Sequence, residues 1–275
     1  LVGSSIDHAN QVDEIPEMDE KGKAQHPKAH DISFEHVDFS YDRKPILKDV
    51  SITIPDKTTT AIVGPSGSGK TTLCNLIARF WDVDGGAVRI GGINVKDYTL
   101  ESLMDQVSMV FQKVYLFADT IENNIKFGRP DATHEQVVEA AKKACCHEFI
   151  ESFPDGYDTV IGEGGATLSG GEKHRISIAR AMLKDAPIII FDEATANVDP
   201  ENEDKLQKAM EALMKDKTIL MIAHRLKTVR KADQILVLDG GHIVQKGTHD
   251  ELAGQDGLYR DFLDARKEAA SWKLA

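Results

Sequence analysis

The segment GPSGSGKTT at residues 64–72 has the residue types and spacing to hold a phosphate chain. Gly64, Gly67 and Gly69 free backbone N–H groups to turn toward an anion, with Pro65, Ser66 and Ser68 between them. Lys70 supplies a mobile cation for the outer phosphates, the Thr71 hydroxyl can ligate Mg²⁺, and Thr72 completes the run. The loop follows Thr60-Ala61-Ile62-Val63, which reads as a buried strand. It precedes Leu73-Cys74-Asn75-Leu76-Ile77-Ala78-Arg79, which reads as a helix aiming its positive end at the same place. That context separates a phosphate-binding loop from a Gly/Ser turn that merely begins a helix. The expectation is nucleoside triphosphate binding; the loop by itself fits a kinase, a GTPase, a motor or a transporter ATPase.

A second chemical group stands at Asp192-Glu193, directly after the apolar run Ile188-Ile189-Ile190-Phe191. A strand this apolar belongs in the interior of a sheet, and open α/β sheets bind ligands at the carboxyl ends of such strands. Side chains alternate along a strand, so the two carboxylates are expected to diverge and take separate tasks. Asp192 suits Mg²⁺ coordination, and Glu193 suits orienting an attacking water. The segment Leu168-Ser169-Gly170-Gly171-Glu172 opens another helical stretch, residues 173–183. Ser169 and Glu172 have the spacing of a capping box, which is a sufficient structural reason for both. Two consecutive glycines exceed what a cap requires, because each adds backbone entropy that folding must remove; they fit a place where something approaches the backbone closely. The chain therefore offers two helix starts suited to phosphate and needs only one to bind a triphosphate.

The elements that must position these groups divide the chain. Residues 1 to about 30 are polar and acidic without apolar periodicity and read as a flexible linker. Alternation in Ile32-Phe34-His36-Asp38, Ile46-Leu47 and residues 50–54 predicts antiparallel strands leading into the loop strand, with further strands at residues 87–90 and 106–111. From about residue 113 to 185 the pattern turns helical. Thr133-His134-Glu135-Gln136 is a capping box, and Val137, Val138, Ala141, Cys145 and Phe149 read as one apolar stripe. Strands at residues 188–191, 218–222 and 234–238, with a helix around 203–214, predict a parallel sheet resuming after an inserted helical part.

A hydrophobic share of 41% over 275 residues is enough for a packed core in one large or two smaller domains. Lys plus Arg number 33 against 45 acidic residues, a net charge of −12 with no dense basic run, which argues against a nucleic-acid partner. Cys74, Cys145 and Cys146 fit neither a disulfide framework nor a C-x-x-C metal site, so a reduced cytoplasmic setting is expected. No stretch approaches 18 apolar residues, so no membrane span is expected. The chain opens at Leu1 without a targeting pattern and reads as an excised fragment.

LSGGE, lying between the phosphate loop and the strand that ends in Asp192-Glu193, resembles the signature sequence of ABC ATPases, and other landmarks of that family follow in order over about residues 32–265. The resemblance implies an α/β fold: a P-loop NTPase (RecA-like) core with an antiparallel β subdomain and an α-helical subdomain inserted at about residues 113–185. The domain is expected over residues 31–265, with a C-terminal tail at 266–275. Tyr41 matches the aromatic residue that stacks on adenine, and Gln112 the loop glutamine that contacts Mg²⁺ and links core to helical subdomain. Asp199 matches a loop residue that touches a partner protomer, although Asn197-Val198 stand where Ala-Leu is commoner. His224 matches the histidine that hydrogen-bonds the γ-phosphate. The signature residues Ser169, Gly170, Gly171 and Glu172 are expected to bind ATP held by a second cassette, homodimeric or heterodimeric, which gives the spare helix start a task.

Gly162-Glu163-Gly164-Gly165 resembles the exporter-specific segment that senses transmembrane domains, with Gly164 where Arg is common, and residues 246–252 are also similar to exporter cassettes. The implied activity is ATP hydrolysis coupled to transport, with transmembrane domains fused upstream and the cassette at the cytoplasmic face of a membrane. Catalysis is expected from Glu193, His224 and Lys70, and Mg²⁺ ligation from Thr71, Gln112 and Asp192, with ATP and Mg²⁺ as ligands. The alternative is a soluble ABC ATPase without a membrane partner; such proteins usually carry a long coiled-coil insertion or a second cassette, and neither is present here.

Overall fold

The computed structural model of the chain describes residues 21–111, 113–193 and 200–272, with backbone alone at 200 and 269–272. In chain order, β1 (Ile32–Tyr41) and β2 (Lys44–Ile54) pair, β3 (Thr59–Val63) leads through the phosphate loop to α1 (Lys70–Ile77), and β4 (Gly85–Ile90) and β5 (Ile93–Asn94) follow. Strands in the order β2-β1-β4-β5 form an antiparallel sheet. Alternation turns Ile32, Phe34, Val37 and Phe39 of β1 inward. The spacing skips a residue between Phe34 and Val37 because a bulge places His36 at a φ of 46°, which keeps Val37 in the core.

Helix α2 (Leu100–Gln106) and β6 (Val107–Val110) lead into the helical part, built of β7 (Asp119–Thr120), α3 (Ile121–Lys126), α4 (His134–Lys143), α5 (His147–Ser152), β8 (Val160–Ile161) and α6 (Gly170–Lys184). The chain then returns through β9 (Ile188–Asp192), α7 (Pro200–Met214), β10 (Thr218–Ile222), α8 (Leu226–Lys231), β11 (Gln234–Asp239), β12 (His242–Gly247), α9 (His249–Ala253) and α10 (Leu258–Trp272). The central sheet has the order β12-β11-β3-β10-β9-β6, with β12 antiparallel at one edge and the other five strands parallel.

The parallel strands are covered on both faces, which is why they read as continuous apolar runs. Ile188 and Ile190 of β9 face one core together with Ile62, Leu220, Leu73 of α1 and the antiparallel sheet; Ile189 and Phe191 face a second core with Ala61, Val63, Met221 and helices α3, α4, α6 and α7. Full burial of each such isoleucine or phenylalanine contributes about 1.5–3 kcal/mol. One sheet thus holds the nucleotide-loop half and the helical half on opposite faces.

The capping box expected at Thr133 and Gln136 opens α4. The stripe expected to run on to Cys145 and Phe149 is divided between two helices. Cys145 adopts a φ of 57°, and the N–H groups of Cys145 and Cys146 bond Lys142 O and Ala141 O, the pattern that closes a helix with a left-handed residue. Phe149 therefore belongs to α5. The expected strand at 106–111 is shorter, because Gln106 ends α2.

At the termini, part of the segment expected as a flexible linker is tied down. Lys23 N–H donates to Asp97 O at 2.9 Å and Lys23 O accepts from Thr99 N–H at 3.0 Å. A Cβ on Gly22 would fall 2.0 Å from Tyr98 O, so this close approach admits only glycine. The expected boundary at residue 265 falls inside α10, which continues to Trp272.

Candidate functional site

β3 delivers the chain to the phosphate loop in the middle of the parallel sheet, and the loop packs against the end of β11. A Cβ on Gly64 would lie 2.1 Å from Leu238 O, and Gly69 caps α1 at a φ of 103°. Glycine is required at the first by proximity and at the second by conformation. Helix α1 has no side-chain cap at its N-terminus and no acidic residue in its first turn, so its leading N–H groups and positive dipole end face the loop without a built-in anion. Lys70 Nζ donates to Gly64 O at 2.5 Å and to Pro65 O at 3.4 Å. Burial holds its ammonium below the usual lysine pKa; Asp192 opposes that shift and Arg266 adds to it.

These groups open on a cavity of about 760 Å³, lined by all nine residues of 64–72 together with Asp192 and His224. Its size is that of a small-molecule site. Two buried polar atoms in this region, Ser68 Oγ and Asp192 Oδ1, make no hydrogen bond among the described residues. His224 Nε2 stands 3.5 Å from Asp192 Oδ1, near enough for charge attraction without hydrogen-bond alignment. An orphaned carboxylate oxygen and a threonine hydroxyl lining one cavity are the hard-oxygen donors that Mg²⁺ prefers, the remaining ligands coming from phosphate and water. Among the described residues no group of three or more His, Cys, Asp or Glu could hold a metal by protein ligands alone, so a metal here depends on a bound phosphate. Thr71 and Asp192 fit the ion; Gln112 lies outside the described residues.

Asp192 and Glu193 diverge as the alternation of β9 requires. Glu193 is buried and points to the helical face, where Oε2 accepts from the His224 and Arg225 N–H groups at 2.8 and 3.0 Å and Oε1 accepts from Thr228 Oγ1 at 2.5 Å. It does not line the phosphate cavity. The start of α8 therefore holds this carboxylate with three donors.

Tyr41 ends β1 and sits edge-on to Phe39 and Trp81, with ring centroids 4.7 and 5.3 Å apart. Thr72 Oγ1 donates to its hydroxyl at 3.4 Å, so the ring borders the loop helix without lining the cavity. The signature residues stand apart from the loop in the same chain. Ser169 and Glu172 complete the capping box of α6: Ser169 Oγ accepts from Glu172 N–H and Glu172 Oε1 accepts from Ser169 N–H. Nothing lies within 4 Å of where a Cβ of Gly170 would stand, so the glycine answers no crowding inside the chain. Asp199 lies outside the described residues.

Two contributors escaped the sequence reading. Thr228 holds the Glu193 carboxylate through its hydroxyl, and Arg266 holds the loop that carries His224 through a hydrogen bond from Nε to His224 O at 2.8 Å. Neither sits in a motif, and only the packing of α8 and α10 brings them there.

A phosphate loop between a central parallel strand and a helix, with an acidic strand end two strands away, defines a P-loop nucleoside triphosphatase. The sequence profile described as ABC transporter matches residues 47–196. The chain is 49% identical over 245 residues to an ATP-dependent lipid A-core flippase of Mannheimia succiniciproducens, covering 88% of this chain and 42% of that protein. It is 51% identical over 230 residues to a putative multidrug export ATP-binding/permease protein of Staphylococcus aureus, covering 83% and 40%. A solved bacterial Atm1-family ABC exporter with ATP bound superposes with a TM-score of 0.86 at 39% identity, over 95% of this chain and 47% of that one. The chain belongs to the ABC transporter family, and it matches the ATP-binding part of these exporter relatives. It spans less than half the length of these relatives.

Proposed function

We propose that this cassette powers an exporter-fold transporter by closing head to tail on a second cassette, with ATP sandwiched at each loop. The observation that carries the reading is the open approach to Gly170 at the exposed start of α6, in a chain that carries its own phosphate cradle elsewhere. Ser169, Gly170, Gly171 and Glu172 would meet the γ-phosphate bound by the partner cassette, and Asp199 would contact that partner. The likeness to exporters favours this over the soluble alternative. The domain would then sit at the cytoplasmic face of a membrane, attached to membrane-spanning segments in a longer chain. Among the described residues no helix is long and apolar enough to cross a membrane.

In the cradle, the N–H groups of Gly64, Pro65's successors Ser66, Gly67, Ser68 and Gly69, and those of Lys70, Thr71 and Thr72, surround the phosphates, while the Lys70 ammonium neutralises the outer ones. Tyr41 offers its ring to adenine. Thr71, Asp192 and Gln112 would hold Mg²⁺, which would supply positive charge against the phosphates. In hydrolysis a water would attack the γ-phosphorus in line as the bond to the β–γ bridging oxygen breaks, releasing ADP and inorganic phosphate, with Glu193 orienting the water and taking its proton and His224 holding the γ-phosphate. For this, Glu193 must exchange its three donors at the start of α8 for the water. Closure by the partner supplies the occasion, which ties turnover to assembly.

Tyr115 and Phe127 flank Phe117 in an exposed aromatic surface, and Gly162 packs on Ala118 next to it. Next to the exporter-like segment 162–165, this surface suits docking of transmembrane domains. The test of the assembly is Glu193→Gln, which keeps the shape and removes the base. It is expected to give an ATP-dependent dimer in sizing at high protein concentration; an ATP-bound species that stays monomeric there refutes the sandwich.

A further inference from the structure

Helix α10 forms one wall of the phosphate cavity through Leu258, Phe262 and Arg266, which recur every four residues and so share a stripe. The Arg266 guanidinium lies 4.6 Å from the Phe262 ring centroid, a stacking that fixes its plane. From there Nε donates to His224 O at 2.8 Å. The N–H of the same residue donates to Glu193 Oε2 at 2.8 Å. His224 is thus gripped at both backbone groups, by a carboxylate from β9 and a guanidinium from α10. The direction of its imidazole follows from that backbone, because His224 stands just past the end of β10 with no strand partner of its own.

We propose that Arg266 is a positioning residue for His224: its hydrogen bond to the His224 carbonyl sets the imidazole over the phosphate loop and makes ATP turnover depend on the C-terminal helix. The inference rests on the reading that His224 contacts the γ-phosphate. Arginine suits the task because it presents its donors in a rigid plane. Its charge is also felt at Lys70, across the same cavity.

Three substitutions in the 275-residue chain separate donor, charge and packing. Arg266→Met keeps the aliphatic contact with Phe262 and removes the donor. Arg266→Gln puts an N–H nitrogen at the place of Nε without the charge. Arg266→Lys keeps the charge and moves the donor away from that place. With MgATP, Arg266→Met and Arg266→Lys are expected to lower kcat about tenfold, with KM for ATP changed less than twofold, and Arg266→Gln to recover kcat to within about threefold of the unsubstituted chain. The proposal is overturned if Arg266→Met leaves kcat unchanged, if only KM moves, or if Arg266→Gln is as impaired as Arg266→Met. Should the Met variant fail to fold, the Lys and Gln pair decides in the same way. His224→Ala, assayed alongside, is expected to lose most turnover. Full activity in His224→Ala refutes the histidine assignment itself, whereas an inactive His224→Ala with a normal Arg266→Met refutes only the role of Arg266.

Discussion

Asp192 and Glu193 are neighbours in the chain, yet their carboxylates lie on opposite faces of the central sheet, one in the phosphate cavity and the other at the start of α8. The strand register sets this. Phe191 pairs with Met221 and Asp192 with Ile222, so each carboxylate continues the alternation of the isoleucines before it. One strand end therefore sends its two carboxylates to separate surroundings, and under the proposed reading Asp192 would face the metal and Glu193 the attacking water.

The three donors on Glu193 compete with its use as a base. Thr228→Val removes the hydroxyl donor at 2.5 Å while keeping the side-chain volume. A hydrogen bond to a charged group contributes about 1.5–3 kcal/mol. Thermal stability is expected to fall by about that amount, while kcat rises several-fold because Glu193 leaves its hold more readily. A fall in kcat would show that the contact aims Glu193 productively instead.

Lys70 is held below its ordinary pKa by burial, so its charge is maintained against a desolvation penalty. Lys70→Met relieves that penalty and removes the cation. The melting temperature is expected to stay level or rise while kcat/KM for ATP falls at least about 100-fold, the range for losing a charge-stabilising donor. Calorimetry and steady-state kinetics on one preparation check both halves.

Tyr41 would carry the base. Stacking on an aromatic side chain is worth about 1–3 kcal/mol per base, so Tyr41→Ala is expected to raise the ATP dissociation constant about tenfold. Titration with a fluorescent ATP analogue measures it. An unchanged constant would remove stacking at Tyr41 from the binding of ATP.

His174 of α6 is buried, and desolvation holds its pKa below the model-peptide value of 6.5. Above 6.5 it is neutral folded and unfolded, so the stability is complete there. As pH falls below 6.5 the unfolded chain takes up a proton that the folded one refuses, and stability is lost down to the depressed folded value. His174→Gln is expected to flatten the fall in melting temperature between pH 7.5 and 5.5; equal slopes in the two proteins would rule out this histidine as the cause.

The phosphate loop, the acidic strand end and the signature helix start were legible because each is written locally, in glycine placement or an unbroken apolar run. The divergence of Asp192 and Glu193 was legible for the same reason, since a period of two needs no tertiary knowledge. Arg266 was not: it fell in the segment read as a C-terminal tail, and only the packing of α10 brings it against His224. The break at Cys145 was hidden because cysteine carries no preference for left-handed backbone, unlike the glycine that usually ends helices. Trp81 beside Tyr41 was missed for want of any sequence rule that joins residues 40 apart.

The tie between Lys23 and the Asp97 to Thr99 backbone bears on whatever precedes it. Ten free residues ahead of β1 would act as a slack tether with a span of about 17 Å, soft enough to absorb a tug. Pinned at Gly22 and Lys23, that length is taken up on the antiparallel sheet, whose core is shared with α1. A displacement of the upstream chain is thereby delivered to the sheet packed on α1 instead of being lost in a spring.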